Sequence, residues 1–342
     1  MATVNGVASP LEIGVLGAGS WGTALAVALA RNGHQVRLWG RNATRLSSIA
    51  KAACNTRYLP GVDFPESLVV EPDVAVLAQC CDNYLVVVPS HAFRTTLEAL
   101  FSARVRRTAP ATLVWGTKGL EAGSGAMLGD VVAAVAPGST SRAALSGPTF
   151  ASEVGRGLPT AVCVASDLDA VAKDVATWFH SNKLRVYTST DLAGVQLGGA
   201  IKNVMAIATG IADGLGLGAN ARAAVITRGL AELRRLGAAL GGQPETFMGL
   251  TGVGDLILTC TDDQSRNRRV GLGLGLGRAL EDVLSDIGQE AEGINTAREL
   301  FRKSATLGME MPITEQVYKV LFEAQAPRDA VAALLQREPR AE

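Results

Sequence analysis

A glycine-spaced turn near the start of the chain limits the fold more than any other segment. In Ile13–Arg41, IGVLGAGSWGTALAVALARNGHQVRLWGR, the run Gly17-Ala18-Gly19-Ser20-Trp21-Gly22 fits G-x-G-x-x-G. In such a motif the first glycine permits a tight turn, the second lets a pyrophosphate reach the backbone, and the third lets a helix pack on a strand. Here the motif has the context it needs. It follows a strand pattern at Leu11–Leu16 and opens a helix over Ser20–Asn32 that Gly33 stops. A second strand pattern follows at Gln35–Trp39. The free N–H groups of the helix would then face phosphates.

Further apolar runs without alternation lie at Tyr84–Val88, Thr112–Trp115, Ala143–Leu145, Thr160–Ala165 and Leu184–Tyr187. Separated by helical segments, they describe a sheet covered on both faces. After Thr188 the texture changes to helical periodicity. Helices are expected over Asp191–Ala212, Ala219–Leu240, Gln264–Ala279, from Asp282 on, Gly293–Leu307 and Pro312–Ala324. The fold class is α/β: a Rossmann-like domain with a mostly parallel sheet over residues 1–188, then an all-helical domain over 189–342. Gly194, Gly198, Gly199 and Gly210 fall inside one long helix. Each costs about 1 kcal/mol there, so another helix or a ligand is expected to approach that backbone closely. The first ten residues are expected to fray.

Lysine plus arginine and aspartate plus glutamate are 32 each, so no global charge draws the chain to nucleic acid or an anionic membrane. Arg266, Arg268 and Arg269 form a local basic cluster without interleaved aromatics, so no nucleic acid is expected. No apolar run of about 18 residues occurs, and no membrane span or signal peptide is expected. The five cysteines form no CxxC, which reads as reduced, structural thiols in the cytoplasm. No cluster has zinc spacing, so no metal is expected.

Arg41 stands just past the second strand, where an acidic residue would accept from a ribose 2′-OH. A guanidinium there suits a 2′-phosphate, which favours NADP(H) with NAD(H) tolerated; the plain alternative is a solvated arginine. Trp21 would stack near the cofactor or simply pack. Lys118, in WGTKGLE past a strand end, can hold an anionic or carbonyl oxygen, or lie at the surface. Gly147 and Pro148 would shape a second strand-end loop, SGPTF, in which Thr149 offers a hydroxyl.

Lys202 lies on a small, apolar helix face one turn from Gly198 and Gly199. Desolvation would lower its pKa and make it a usable acid or base near neutrality. The three histidines, His34, His91 and His180, all precede the helical half, which moves the acid/base role toward lysine. Asp255 sits in a glycine-flanked segment, and Ser265, Arg266 and Asn267 begin a helix whose N-terminus would cradle a phosphomonoester.

These motifs, with VVVPSHAF, SGPTFASE, GVQLGGAIKNVMAIATGI, GANARAAVITRGLAEL and GVGDLILTCTDDQSRNRR, run in order over nearly the whole chain. Together they resemble the bacterial NAD(P)-dependent glycerol-3-phosphate dehydrogenases. The resemblance implies reversible reduction of dihydroxyacetone phosphate to sn-glycerol 3-phosphate, feeding phospholipid synthesis. It implies cofactor contacts at Ser20, Trp21, Arg41, Tyr58, Lys118, Ala151, Arg266 and Glu292. It implies substrate contacts at Lys118, Gly147, Thr149, Lys202, Asp255, Ser265, Arg266 and Asn267, with Lys202 as proton donor or acceptor, aided by Lys118. Asp255 would hold Lys202 or accept from a substrate hydroxyl. In QEAEGINT, Glu290 stands where a small apolar residue is expected. The helical half has apolar faces enough for a homodimer. Two rival readings remain: a β-hydroxyacid or 6-phosphogluconate-type dehydrogenase, and a non-catalytic NADP(H) sensor.

Overall fold

A computed structural model describes residues 10–105 and 107–338; the expected fraying of the N-terminus falls, up to residue 9, outside them. The chain forms two compact units, one of residues 1–117 and 129–192, the other of residues 118–128 and 193–342. The segment 118–128 therefore sorts with the helical residues although it precedes them by some 65 positions in sequence.

The first unit is an eight-stranded sheet with helices. Its strands are β1 (Glu12–Leu16), β2 (Gln35–Trp39), β3 (Leu68–Val70), β4 (Asn83–Val86), β5 (Thr112–Trp115), β6 (Ser141–Ser146), β7 (Thr160–Ala165) and β8 (Leu184–Ser189). Its helices are α1 (Ser20–Arg31), α2 (Ala43–Ala52), α3 (Val74–Cys80), α4 (Phe93–Ala103), α5 (Leu128–Val135), α6 (Ala151–Arg156) and α7 (Asp169–Phe179). The sheet order is β3-β2-β1-β4-β5-β6-β7-β8. All neighbours are parallel except β6 and β7, which pair antiparallel with Leu145 opposite Val164. The chain winds outward from β1 through β2 to β3, then returns to β4 on the other side of β1. That reversal makes the switch point at which open α/β sheets bind ligands.

The central strands are fully buried at Ile13, Val15, Leu38, Leu85 and Val114, as their unbroken apolar runs require. With Leu25, Leu29, Trp178 and Phe179 they make one core. His34, the most buried of the histidines, is structural: Leu11 N donates to its Nδ1 at 3.2 Å, and its Nε2 lies 3.1 Å from Trp178 O. Burial lowers its pKa. Strand β3 has only three residues, too short a run to stand out in the sequence.

The second unit holds α8 (Leu192–Gly214), α9 (Gly218–Ala239), α10 (Pro244–Phe247), α11 (Asp255–Thr261), α12 (Arg266–Gly275), α13 (Leu280–Ile287), α14 (Glu292–Thr306), α15 (Pro312–Phe322) and α16 (Pro327–Leu335). A π-helical turn, Leu250–Gly254, leads directly into α11. Among the described residues this unit has no strand, only an isolated bridge from Leu120 to Met127. Its core joins Ile201, Met205, Phe247, Leu256, Val270 and Leu300.

Helix α8 is long and apolar enough to cross a membrane, yet 89% of its apolar window is buried inside the protein. Its glycines explain the packing. A Cβ on Gly210 would lie 2.1 Å from Arg268 O, and one on Gly271 would lie 2.0 Å from Ile207 O. Helices α8 and α12 thus meet backbone to backbone, which only small residues allow. Within the glycine-rich run 271–277, Gly271 and Gly275 form the α12 side of this contact, while Gly273 faces Val283 of α13.

Candidate active site

The first unit builds a dinucleotide cradle from its glycines. Gly17 follows β1 with φ of +130°, and a Cβ there would lie 2.2 Å from Val87 O. Its N–H donates to Trp39 O at 2.8 Å, tying the turn to the end of β2. A Cβ on Gly22 would lie 1.9 Å from Gly17 O, so helix and turn touch there. Gly19 differs: its φ is −83°, and nothing lies within 4 Å of where its Cβ would be. It caps α1 without any side-chain hydrogen bond, so the first turn offers N–H groups to an anion. Trp21 Nε1 is buried and has no hydrogen-bond partner among the described residues. Buried donors are nearly always paired. An open cradle and an orphaned donor on one helix start fit a bound dinucleotide.

The remaining first-unit candidates lie at the carboxyl ends of strands that run parallel to β1. Arg41 is exposed just past β2. Tyr58 is half-buried, and its hydroxyl accepts from Arg45 Nη1 at 2.7 Å. Gly147 follows β6 with φ of +145°, and Thr149 Oγ1 donates to Gly147 O at 3.2 Å. Ala151 is the first residue of α6.

The second unit brings Lys118, Lys202 and Asp255 together. Asp255 opens α11 and is fully buried. Its Oδ2 accepts from Lys118 Nζ at 2.7 Å, and its Oδ1 accepts from Lys202 Nζ. Lys202, 5% exposed in the middle of α8, also donates to Thr259 Oγ1 at 3.0 Å. Desolvation pushes the Lys202 pKa down to about 7; Asp255 opposes that shift and Lys118 reinforces it. An ammonium poised near neutrality beside a second cation can give a proton to a developing alkoxide or take one from an alcohol.

The start of α12 lies beside this trio. Ser265 is its N-cap, and its Oγ accepts from Arg268 N at 3.2 Å. Asn267 Nδ2 donates to Asn203 Oδ1 at 2.9 Å, and Asn203 is the neighbour of Lys202 on α8. Asn267 Oδ1 accepts from Gly293 N at 2.9 Å, which draws in the first turn of α14, where Glu292 stands. Arg266 Nη1 donates to Glu290 O at 2.7 Å. Arg268 points elsewhere: it is buried and paired with Asp213 and Asp263.

Three further residues shape the site. Thr259 lies four residues after Asp255, one helical turn on; its hydroxyl donates to Asp255 O at 2.6 Å and accepts from Lys202. That spacing within DLILT was the signal available in the sequence. Glu299 and Lys303 carry none: Gly123 N donates to Glu299 Oε1 at 3.0 Å, and Lys303 Nζ donates to Gly125 O at 3.1 Å. These two bonds strap the segment bearing Lys118 onto α14.

Comparison with known proteins agrees along the whole chain. Residues 12–172 match the family model described as NAD-dependent glycerol-3-phosphate dehydrogenase N-terminus, and residues 191–332 match that of the C-terminus. A protein of Thioalkalivibrio sulfidiphilus named glycerol-3-phosphate dehydrogenase (NAD(P)+) is 56% identical over 330 residues, 96% of this chain and 98% of that one. One of the same name from Alkalilimnicola ehrlichii is 54% identical, over 95% of this chain and 97% of its own. The crystal structure of glycerol-3-phosphate dehydrogenase from Coxiella burnetii superposes with a TM-score of 0.92 at 45% identity, covering 96% of this chain and 99% of that one.

Proposed function

The chain belongs to the NAD-dependent glycerol-3-phosphate dehydrogenase family, and from that premise we propose how its residues divide the work. It is an oxidoreductase that reversibly reduces dihydroxyacetone phosphate to sn-glycerol 3-phosphate with NAD(P)H. When bound, the reduced nicotinamide supplies the hydride for the C2 carbonyl.

Gly17, Gly19, Ser20, Trp21 and Gly22 hold the cofactor, with Arg41 on the 2′-phosphate of NADP(H) and Tyr58, Ala151 and Glu292 as further contacts. The start of α12, through Ser265, Arg266 and Asn267, holds the substrate phosphate by helix-end N–H groups and a guanidinium. Gly147 and Thr149 line the substrate side of the β6 loop. Negative charge grows on the C2 oxygen as the carbonyl is reduced. Lys118 stabilises that charge, and Lys202 protonates the oxygen. Asp255 holds both ammoniums in place, with Oδ2 accepting from Lys118 and Oδ1 from Lys202. The observation that carries this reading is the buried Lys118–Asp255–Lys202 trio beside the α12 start.

The reading places the enzyme in the cytoplasm, which the five free thiols support, and in the supply of glycerophospholipid precursor. It retains a homodimer, supported by exposed Leu217, Leu276 and Leu335 on the helical unit; light scattering tests it against 35.4 kDa for one chain. The central test is absorbance at the nicotinamide band with dihydroxyacetone phosphate and each reduced cofactor, for the parent and Lys202→Ala. Loss of an acid/base group costs about 10²–10⁴ in rate. Turnover of a folded Lys202→Ala near the parental rate would remove Lys202 from the chemistry.

A further inference from the structure

Three arginines lie in the chain between β2 and β3. Arg41 follows the strand directly. Arg45 lies in the first turn of α2, and its N–H donates to the capping Asn42 Oδ1 at 2.8 Å. Arg57 stands with its guanidinium carbon 5.5 Å from the centre of the Tyr58 ring; that of Arg45 is 5.0 Å from the same centre. Among the described residues, none of the three pairs with a carboxylate. Arg45 and Arg57 bring two positive charges to one ring, and a bound anion offsets their repulsion.

Arg45 is held more firmly than a surface arginine. Its Nη1 donates to Tyr58 Oη at 2.7 Å, and its stem is half-buried. Tyr58 N in turn donates to Asn55 Oδ1 at 3.3 Å. Asn55 is 1% exposed and donates through Nδ2 to Ala18 O at 3.0 Å and to Thr23 Oγ1 at 2.8 Å. Ala18 lies between Gly17 and Gly19 of the cradle, and Thr23 is in the first turn of α1. A continuous chain of bonds therefore runs from the cradle through Asn55 and Tyr58 to Arg45. Gly40 brings the end of β2 equally near, since a Cβ there would lie 3.1 Å from Ala18 Cβ.

We propose that Arg45, braced on the Tyr58 phenol, is a second specificity-determining residue that joins Arg41 on the 2′-phosphate of NADP(H). The proposal rests on the reading that the adenosine ribose lies at the carboxyl end of β2. A guanidinium carries five N–H donors, of which Tyr58 takes one. Those remaining can engage a phosphate dianion that NAD(H) lacks. Tyr58 acts here as a positioning residue, and Asn55 fixes Tyr58 relative to the pyrophosphate cradle.

The test is calorimetric titration of the full chain with NADPH, NADH, adenosine 2′,5′-bisphosphate and AMP, alongside thermal melting. The variants are Arg45→Ala, Arg45→Lys, Tyr58→Phe and Arg41→Ala. For Arg45→Ala, the two ligands with a 2′-phosphate should weaken by on the order of 10- to 100-fold relative to the two without, as loss of a charged hydrogen bond predicts. Arg45→Lys should recover part of that difference, and Tyr58→Phe should show a smaller one. If Arg45→Ala weakens all four ligands alike, Arg45 only shapes the loop and the proposal fails. If Arg45→Ala changes none of them while Arg41→Ala abolishes discrimination, Arg41 acts alone and the proposal fails. If Arg41→Ala also leaves discrimination intact, the placement of the ribose at β2 fails as well.

Discussion

Lys202 and Asp255, 53 residues apart in sequence, form a buried ion pair in which the carboxylate is fully enclosed and shared with Lys118. One carboxylate thus balances two cations. The trio carries net positive charge, which is what an oxyanion on a bound ketone would meet. Burial works against that charge, because desolvation lowers the Lys202 pKa, while Asp255 opposes the shift.

The pH dependence follows from that shift. In the proposed mechanism Lys202 is the donor for ketone reduction and the acceptor for alcohol oxidation. Its pKa is lowered to about 7. The kcat/KM for reduction should therefore fall as pH rises through that region, while the value for oxidation rises. Stability moves too. Above about 7 the folded lysine loses its proton, whereas the unfolded one holds it to near 10. The unfolded chain then binds more protons, so stability rises with pH across that window; the burial cost is full below it. Urea unfolding from pH 7 to 9, compared with Lys202→Met, checks the sign: the parent should gain stability relative to the variant.

Asp255→Asn removes the carboxylate that binds both lysines. The buried Lys202 ammonium is left facing the half-buried Lys118, and breaking a buried pair in this way costs about 3–5 kcal/mol. The Lys202 pKa should fall further, because the attraction that opposes desolvation is gone. Chemical denaturation reads the first effect. A shift of the falling limb of the reduction profile to lower pH reads the second.

Gly17 and Gly19 should respond to alanine in opposite ways. A methyl at Gly17 meets Val87 O at 2.2 Å in left-handed backbone, so Gly17→Ala should lose about 1–3 kcal/mol of stability along with cofactor binding. At Gly19 nothing in the protein lies within 4 Å, so Gly19→Ala should melt near the parental temperature. Its NADPH affinity should still drop at least tenfold, because the methyl takes room the pyrophosphate needs. Thermal melting and quenching of tryptophan fluorescence by NADPH separate the two outcomes.

Glu299→Ala should act on Lys118 at a distance. Glu299 is 4% exposed and accepts from Gly123 N, five residues beyond Lys118. Without it the strap loosens, and the N–H of the exposed Gly123 turns to water. Reduction by Glu299→Ala should show a several-fold lower kcat with little change in KM for NADPH. Equal losses in both would mark a general structural defect instead.

Much of the first unit was readable because its signals are local. The apolar runs of β1, β2, β5 and β7 and the helix that opens at Ser20 lie where patterning put them. The reversal at β1 that makes a binding crevice follows from strand order, which no single run contains. In the second unit, α10, α11 and α16 went unread; the first is four residues long, and the second starts from a π-helical turn rich in glycine.

What the sequence determined by itself was chemistry attached to motifs: a pyrophosphate turn, a lysine on an apolar helix face, an arginine at a helix start. Such calls need only spacing along a few residues of chain. What tertiary structure alone decided was which charges meet. Asp255 reaches Lys118 and Lys202 from 137 and 53 residues away, Glu299 reaches Gly123 from 176, and Tyr58 reaches Arg45 across 13. Side-chain pairing depends on distances of a few ångströms and on exclusion of water, and both arise only once the elements of each unit have packed.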